Sequence, residues 1–210
     1  MTTSPRRRSP AALLALVLAA LLLATGCVVG TDVPRSGAGD APAPQSPPDG
    51  STGAAEEQMA RAVFDRVNAE RAERDLGELA WNDDLAAVAR DWNLQMAEDG
   101  RLYHQDLGPL LGGDRLAGFQ ALGENIFRAT GPVPAGTIHA GWMRSDDHRV
   151  NVLNPGFDRL GVAVHCAPDG SVWATQEFGR TAGSDLPTPA RTTPPPEPLV
   201  HPEDDGPTCG

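Results

Sequence analysis

The segment "MRSDDHRVNVLNPGFDRLGVAV", which begins at Met143, places two aspartates directly before a histidine. His148 could bind a metal, act as a base, close a small helix or hold the fold together. Ser145 precedes two acids, which do not help a serine hydroxyl to lose its proton, so we expect a helix cap rather than a nucleophile. Asp146 and Asp147 favour the charged form of a neighbouring imidazole. We therefore predict that the pKa of His148 is raised and that His148 titrates near neutral pH.

In chain order, the predicted elements that position these residues are several helices followed by a β-hairpin. Apolar residues at helical spacing predict helices over 54–76, 79–100 and 134–145, with a short helical piece in "SDDHRVNVL". Asn82 or Asp83 can cap the second helix, and Gly100 ends it. Residues 101–122 are loop-like, and "GENIFRA" is a short strand or turn. Two strands, "DRLGVAVHC" and "SVWATQEFG", flank the turn signal "APDG", so the order predicts a single α+β domain.

Both ends of the chain have compositions that cannot build a core. Residues 1–26 carry three arginines followed by an apolar run, which is typical of a signal peptide. Residues 27–53 are rich in Pro, Gly, Ala and Ser and predict a tether. Residues 181–210 contain eight prolines, which predicts a disordered tail. One domain remains between them, over 54–180.

The three cysteines have separate interpretations. The segment "LLLATGC" resembles a bacterial lipobox, in which Cys27 is lipidated. The lipid would anchor the mature chain in the membrane, on its extracellular face. The alternative is a plain signal peptide that is cut nearby. Cys166 and Cys209 are then left as one possible pair. Export permits a disulfide between them, which would tie the tail to the domain, but the sequence leaves open whether it forms.

The charge of the chain excludes one class of partner. The formal net charge is −11, and the predicted signal peptide contributes only positive charge, so the mature chain is more acidic still. A strongly acidic exported protein repels nucleic acid and anionic lipid. We therefore expect no nucleic-acid partner.

Four motifs in order give the chain a family resemblance. They are "NAERAERDLGELAWNDDLAAVARDWNLQMA", then "YHQDLG" with "GENIFRA", then "WMRSDDHRVNVLNPGFDRLGVAV", then "VWATQEFG". Together they resemble the CAP superfamily of cysteine-rich secretory, antigen 5 and pathogenesis-related proteins, in its bacterial SCP-like branch. The resemblance extends from about residue 58 to residue 180. It implies an α-β-α sandwich as the form of the α+β fold.

The resemblance also implies a central cleft lined by two histidines and acidic residues. Matched position by position, these are His104 in "YHQD", Glu124 in "GEN" and His148 in "SDDHR". Ser145 stands near the place where many eukaryotic members carry a further glutamate, so the set here is His-Glu-His. His139 and His165 match no motif position and are expected at the surface or in a strand.

Two functions are compatible with this set. Two imidazoles and a carboxylate can form a first shell for zinc, with His104 and His148 as possible metal ligands. The first interpretation is a non-enzymatic, lipid-anchored module whose cleft binds a small ligand, a lipid or a divalent ion at the cell envelope. The alternative is a metal-dependent hydrolase of peptide or cell-wall bonds, with Glu124 as third ligand or base. Without a metal, the same groups could form a structural polar network.

Overall fold

A computed structural model of the protein describes residues 49–189, 192, 194 and 199–210. The predicted signal peptide, Cys27 and most of the predicted tether lie outside the described residues. Those residues form, in order, α1 (Asp49–Ala72), β1 (Ala80–Trp81), α2 (Asp83–Asp99), α3 (Leu107–Leu111), a 3-10 helix (Asp114–Leu116), β2 (Phe119–Ala129), α4 (Ala135–Arg144), α5 (Asp146–Val152), β3 (Arg159–Cys166) and β4 (Val172–Thr181). Among them, no helix is long and apolar enough to cross a membrane.

The four strands form one sheet in the order β1-β3-β4-β2. The long strands pair antiparallel, and β1 pairs in parallel with the start of β3. The main core lies between the sheet and α1, α4 and α5, while α2 packs on the opposite face. This three-layer arrangement confirms the predicted α+β class and the α-β-α sandwich. Because helices cover both faces, β3 and β4 are buried along most of their length rather than at alternate residues.

A glycine sets how closely α2 approaches the sheet. Gly161 in β3 lies directly under the start of α2, where a Cβ would overlap backbone atoms of Leu85 and Ala86. The helix begins there because the Asn82 side chain accepts a hydrogen bond from the Leu85 N–H, and it ends at Gly100 in the left-handed region. Both ends of α2 therefore agree with the sequence, which left Asn82 and Asp83 as alternative caps.

Three local predictions differ from the structure. The predicted loop over 101–122 contains α3, the 3-10 helix and the first residues of β2, which makes "GENIFRA" the end of an eleven-residue strand. Ser145 precedes α5, but its side chain makes no capping hydrogen bond. His139, expected at the surface or in a strand, is 1% exposed in α4 because that helix packs against α1.

The end of the chain, expected to be disordered, lies against the domain. Cys166 and Cys209 are joined by a disulfide with a Cα–Cα distance of 5.6 Å. Residues 199–210 run over the start of α4, where the N–H of Ala135 donates to Pro207 O and that of Gly136 to Asp205 O, both at 3.0 Å. These bonds satisfy N–H groups that a helix start leaves without partners, which gives a proline-rich segment a fixed path.

Candidate functional site

The predicted cleft residues His104 and Glu124 are in direct contact. His104 lies in the segment before α3, and Glu124 lies in the middle of β2. The Nδ1–H of His104 donates to Oε1 of Glu124 at 2.5 Å. A carboxylate accepts only, so this bond fixes the proton on Nδ1 and leaves Nε2 as the free lone pair of the imidazole. The His104 side chain is 58% exposed, whereas the Glu124 side chain is 2% exposed.

Gln105 holds the Glu124 carboxylate in place. Its backbone N–H donates to Oε1 at 3.2 Å, and its side-chain Nε2 donates to Oε2 at 2.8 Å. The same Nε2 also donates to Oε1 of Glu177 at 2.5 Å. One amide therefore bridges two carboxyl groups beneath His104.

Glu177 is a second acid at the site, which the His-Glu-His set does not include. It lies directly opposite Glu124 across the β2–β4 pairing and is fully buried. The pKa of Glu177 is raised well above its ordinary value, first because burial disfavours the charged form and then because Glu124 lies beside it. Its Oε2 is buried and has no hydrogen-bond partner among the described residues. A proton on that oxygen would let the carboxyl donate to the Glu124 carboxylate.

His148 is tied to the same strand by an amide network. The Nδ2 of Asn125 donates to the backbone carbonyl of His148 at 3.1 Å and to Oε1 of Gln176 at 2.9 Å. Asn151 donates in turn to the backbone carbonyl of Glu124 and to Oδ1 of Asn125. These bonds fix α5 against β2, so the backbone of His148 is held beside the strand that carries Glu124.

The predicted direction of the His148 pKa shift is wrong. The pKa of His148 is lowered, chiefly by burial and further by the protonated form of His104. Asp147 acts in the predicted direction but does not outweigh them. Asp146 pairs instead with the guanidinium of Arg149 at 2.5 Å.

Glu124 is the hydrogen-bond partner of His104, and within the described residues it does not belong to a three-ligand metal site. No group of three or more His, Cys, Asp or Glu side chains within the described residues is arranged to hold a metal ion. Both oxygens of Glu124 already accept hydrogen bonds, which leaves it as the partner that orients His104. Histidines that bind metals ordinarily donate their other ring N–H to a carboxylate in this way. A lowered pKa keeps His148 neutral and able to donate a lone pair at neutral pH.

Sequence reasoning missed Gln105 and Glu177. Neither the type of these residues nor their spacing in the sequence marks them as site residues. Their roles arise from contacts between segments that are distant in sequence. The only local signal was alternation in "VWATQEFG", which places Glu177 on one face of a strand but does not say what that face meets. Ser145, predicted near the cleft, lies between α4 and α5 with no side-chain hydrogen bond at the helix start.

The α-β-α sandwich and the contact between His104 and Glu124 agree with the family resemblance of the sequence, and comparison with known sequences identifies the family. The model of the cysteine-rich secretory protein family, CAP, matches residues 64–178, so the chain belongs to this family. It is 32% identical over 126 residues to the uncharacterized protein YkwD of Bacillus subtilis, covering 57% of this chain and 47% of YkwD. It is 33% identical over 110 residues to the uncharacterized membrane protein YlbC of the same organism, covering 50% of this chain and 31% of YlbC. The chain thus spans less than half the length of either relative.

Solved structures share the fold. An extracellular protein of Bacillus anthracis that contains an SCP domain matches with a TM-score of 0.52 and 30% identity, covering 65% of this chain and 45% of that one. An outer surface protein of Borrelia burgdorferi matches with a TM-score of 0.52 and 18% identity, covering 60% of this chain and 94% of that one. At that lower identity, the second match concerns the fold alone.

Proposed function

We propose that this chain is an exported CAP-domain protein whose cleft binds a divalent cation through His104 and His148. The observation that carries the proposal is the hydrogen bond from Nδ1 of His104 to Glu124, which leaves Nε2 free as a ligand atom. Zinc is the ion best suited to imidazole ligands with positions left for other molecules. A bound ion would attract anionic or polar groups, so a small ligand or a lipid headgroup of the cell envelope would bind beside it.

The burial of the carboxyl groups favours binding over hydrolysis. A metal-dependent hydrolase needs a base that reaches a water molecule or the substrate. The Glu124 side chain is 2% exposed and holds His104, and Glu177 is fully buried behind it. Glu124 bonds to the His104 imidazole and Glu177 bonds to the Gln105 amide, so neither carboxyl group is exposed to a substrate and the hydrolase is the second candidate.

Zinc titration of the purified domain, followed by calorimetry at pH 7, tests the proposal. We expect one zinc ion per chain in the wild type. His104→Ala and His148→Ala should each weaken zinc affinity by about tenfold or more, because each removes one of two protein ligands. Glu124→Gln should weaken it less, since it changes only the group that orients His104.

His201→Ala is the matched control, because His201 is exposed and lies at the end of the chain, outside the cleft. Its zinc affinity should equal that of the wild type. Equal zinc binding by wild type and both cleft variants would refute a two-histidine site. Zinc-dependent cleavage of a peptide or cell-wall substrate, lost in both cleft variants, would establish the hydrolase instead.

A further inference from the structure

The last twelve residues, 199–210, form a C-terminal strap across the helical layer. The strap passes over the start of α4, where it accepts hydrogen bonds from Ala135, Gly136 and Thr137. Gly136 allows this close approach, because a Cβ there would lie 2.8 Å from carbonyl oxygens of the strap. The path therefore depends on α4 presenting a bare backbone at this point.

The strap covers a buried ionisable pair. Glu70 in α1 is fully buried, and its Oε1 accepts the N–H of Val200 at 2.8 Å. The same oxygen lies 3.6 Å from Nε2 of His139, whose two ring nitrogens have no hydrogen-bond partner in the part of the chain that the structure describes. Arg74 pairs with the other oxygen of Glu70 at 2.6 Å. Water would solvate this pair if the strap were absent.

The contacts that hold the strap, other than the disulfide, are individually weak. Arg66 pairs with Asp205, whose side chain is 50% exposed. Arg144 pairs with Glu203, and both side chains are largely exposed, at 64% and 47%. Exposed ion pairs of this kind contribute little to stability. The covalent bond between Cys166 and Cys209 is the attachment that a reductant can break. It acts beside the hydrogen bond from Val200 to Glu70 and the packing of Leu199 against the core.

We infer that the C-terminal strap is a redox-controlled latch, which closes the start of α4 while the Cys166–Cys209 disulfide is intact and leaves it when the disulfide is reduced. Both cysteines are only partly buried, so a thiolate can reach them. A dithiol reductant transfers two electrons and two protons to the disulfide, giving two cysteine thiols and the oxidised dithiol. The fully buried members of the main core all lie between Met59 and Phe178, and the strap adds only the partly buried Leu199 and Cys209, so most of the core remains when the strap leaves.

Amide hydrogen exchange on the full chain tests the latch without involving the cleft. In the oxidised protein, the amides of Ala135 and Gly136 should be protected by their bonds to Pro207 and Asp205. After reduction with dithiothreitol and alkylation, their exchange should accelerate by about tenfold or more, while amides in β4 stay protected. The pKa of His139, which burial lowers, should rise toward its ordinary value as water enters.

Two variants separate the latch from simple loss of stability. The double variant Cys166→Ser/Cys209→Ser should reproduce the reduced protein without alkylation. Glu203→Gln keeps the disulfide and removes one exposed ion pair, so Ala135 and Gly136 should remain protected. Unchanged protection of these two amides in the reduced protein and in the double variant would overturn the inference, and so would loss of protection throughout β4.

Discussion

The pKa of His148 depends more on the surroundings of the side chain in the folded protein than on its neighbours in the sequence. Its sequence neighbours are acids, which favour a charged imidazole, yet burial and His104 favour the neutral form. The structure therefore reverses the direction that local sequence predicts. Because a metal ligand must be neutral, the reversal bears directly on the proposed cation site.

Removing His104 should raise the pKa of His148. His104→Ala removes an imidazole whose protonated form disfavours a proton on His148, but it leaves the larger effect of burial, so the pKa of His148 should stay below its ordinary value of 6.5. Asp147→Asn should shift it the other way, since Asp147 raises it in the wild type. An NMR titration of the imidazole measures both shifts. An unchanged His148 pKa in His104→Ala would mean that the two imidazoles do not share a cleft.

Because folding lowers the pKa of His148, the stability of the protein depends on pH. The unfolded chain binds the His148 proton near pH 6.5, whereas the folded protein binds it only at lower pH. Stability should thus fall as pH drops below 6.5 towards the lower folded pKa. His139 contributes in the same direction, because burial lowers its pKa as well.

Replacing Glu177 by glutamine should remove the free-energy cost of keeping this buried acid protonated at neutral pH. The pKa of Glu177 is raised in the folded state, so above about pH 4.5 the unfolded chain loses this proton while the folded protein keeps it, and stability falls as pH rises. Glu177→Gln resembles the protonated acid, since its amide can donate to Glu124 and accept from Gln105. Denaturant unfolding at pH 5 and pH 7 measures this effect. The free energy of unfolding should fall less between these two pH values in Glu177→Gln than in the wild type.

Glu177→Ala is the contrasting variant. It removes a buried side chain together with its hydrogen bond from Gln105, which should lower stability by about 2 kcal/mol. If the glutamine variant were as unstable as the alanine variant, the carboxyl group would be needed in its charged form.

At the scale of elements, the site depends on the contact between α2 and the sheet. Gly161 is the register partner of Glu177 in the β3–β4 pairing, and it lies under Leu85 and Ala86 at the start of α2. A side chain at this position cannot be accommodated by rotation, because the atoms it meets belong to the backbone. The helix would have to move away from the strand.

Gly161→Ala should therefore lower the free energy of unfolding by about 3 kcal/mol, the upper range for overpacking of a core. Gly118→Ala is a suitable control, because a Cβ there meets no atom within 4 Å. The control should be neutral or slightly stabilising, since alanine restricts the unfolded chain. Equal stability of the two variants, measured by thermal unfolding, would contradict the close contact.

At the scale of the whole molecule, the domain is held together across long sequence distances. Arg71 at the end of α1 is 1% exposed, and its guanidinium donates to the carbonyls of Gly77, Val152 and Asn154. The disulfide between Cys166 and Cys209 spans 43 residues. The end of α1 and the C-terminal segment are thus both connected to one core.

The whole-molecule prediction concerns the proposed lipid anchor on Cys27. Cys27→Ala removes the only thiol available for acylation after "LLLATG", so the exported protein should move from the membrane fraction to the soluble fraction. Fractionation of cells that express each form measures this. Ser145→Ala, which leaves the segment before residue 28 unchanged, should remain in the membrane fraction. An unchanged membrane fraction for Cys27→Ala would rule out lipidation at that residue.

The sequence by itself determined the elements whose causes are local. Apolar spacing, the cap at Asn82 and the stop at Gly100 are properties of neighbouring residues, so α2 could be predicted with its ends. The strands of the hairpin followed from alternation and the turn signal for the same reason. His104, Glu124 and His148 were named through their resemblance to a family, because residues so far apart in sequence give no local sign of meeting.

Only the tertiary structure decided how those elements meet and what charge each site residue carries. The β2–β4 pairing sets Glu124 opposite Glu177, and Asn125 ties His148 to the same strand. Burial then reverses the expected pKa shift of His148, and the packing of α4 against α1 leaves His139 only 1% exposed. Strand pairing and desolvation arise from segments that are distant in sequence, and this is the physical reason why neither could be deduced from local patterns.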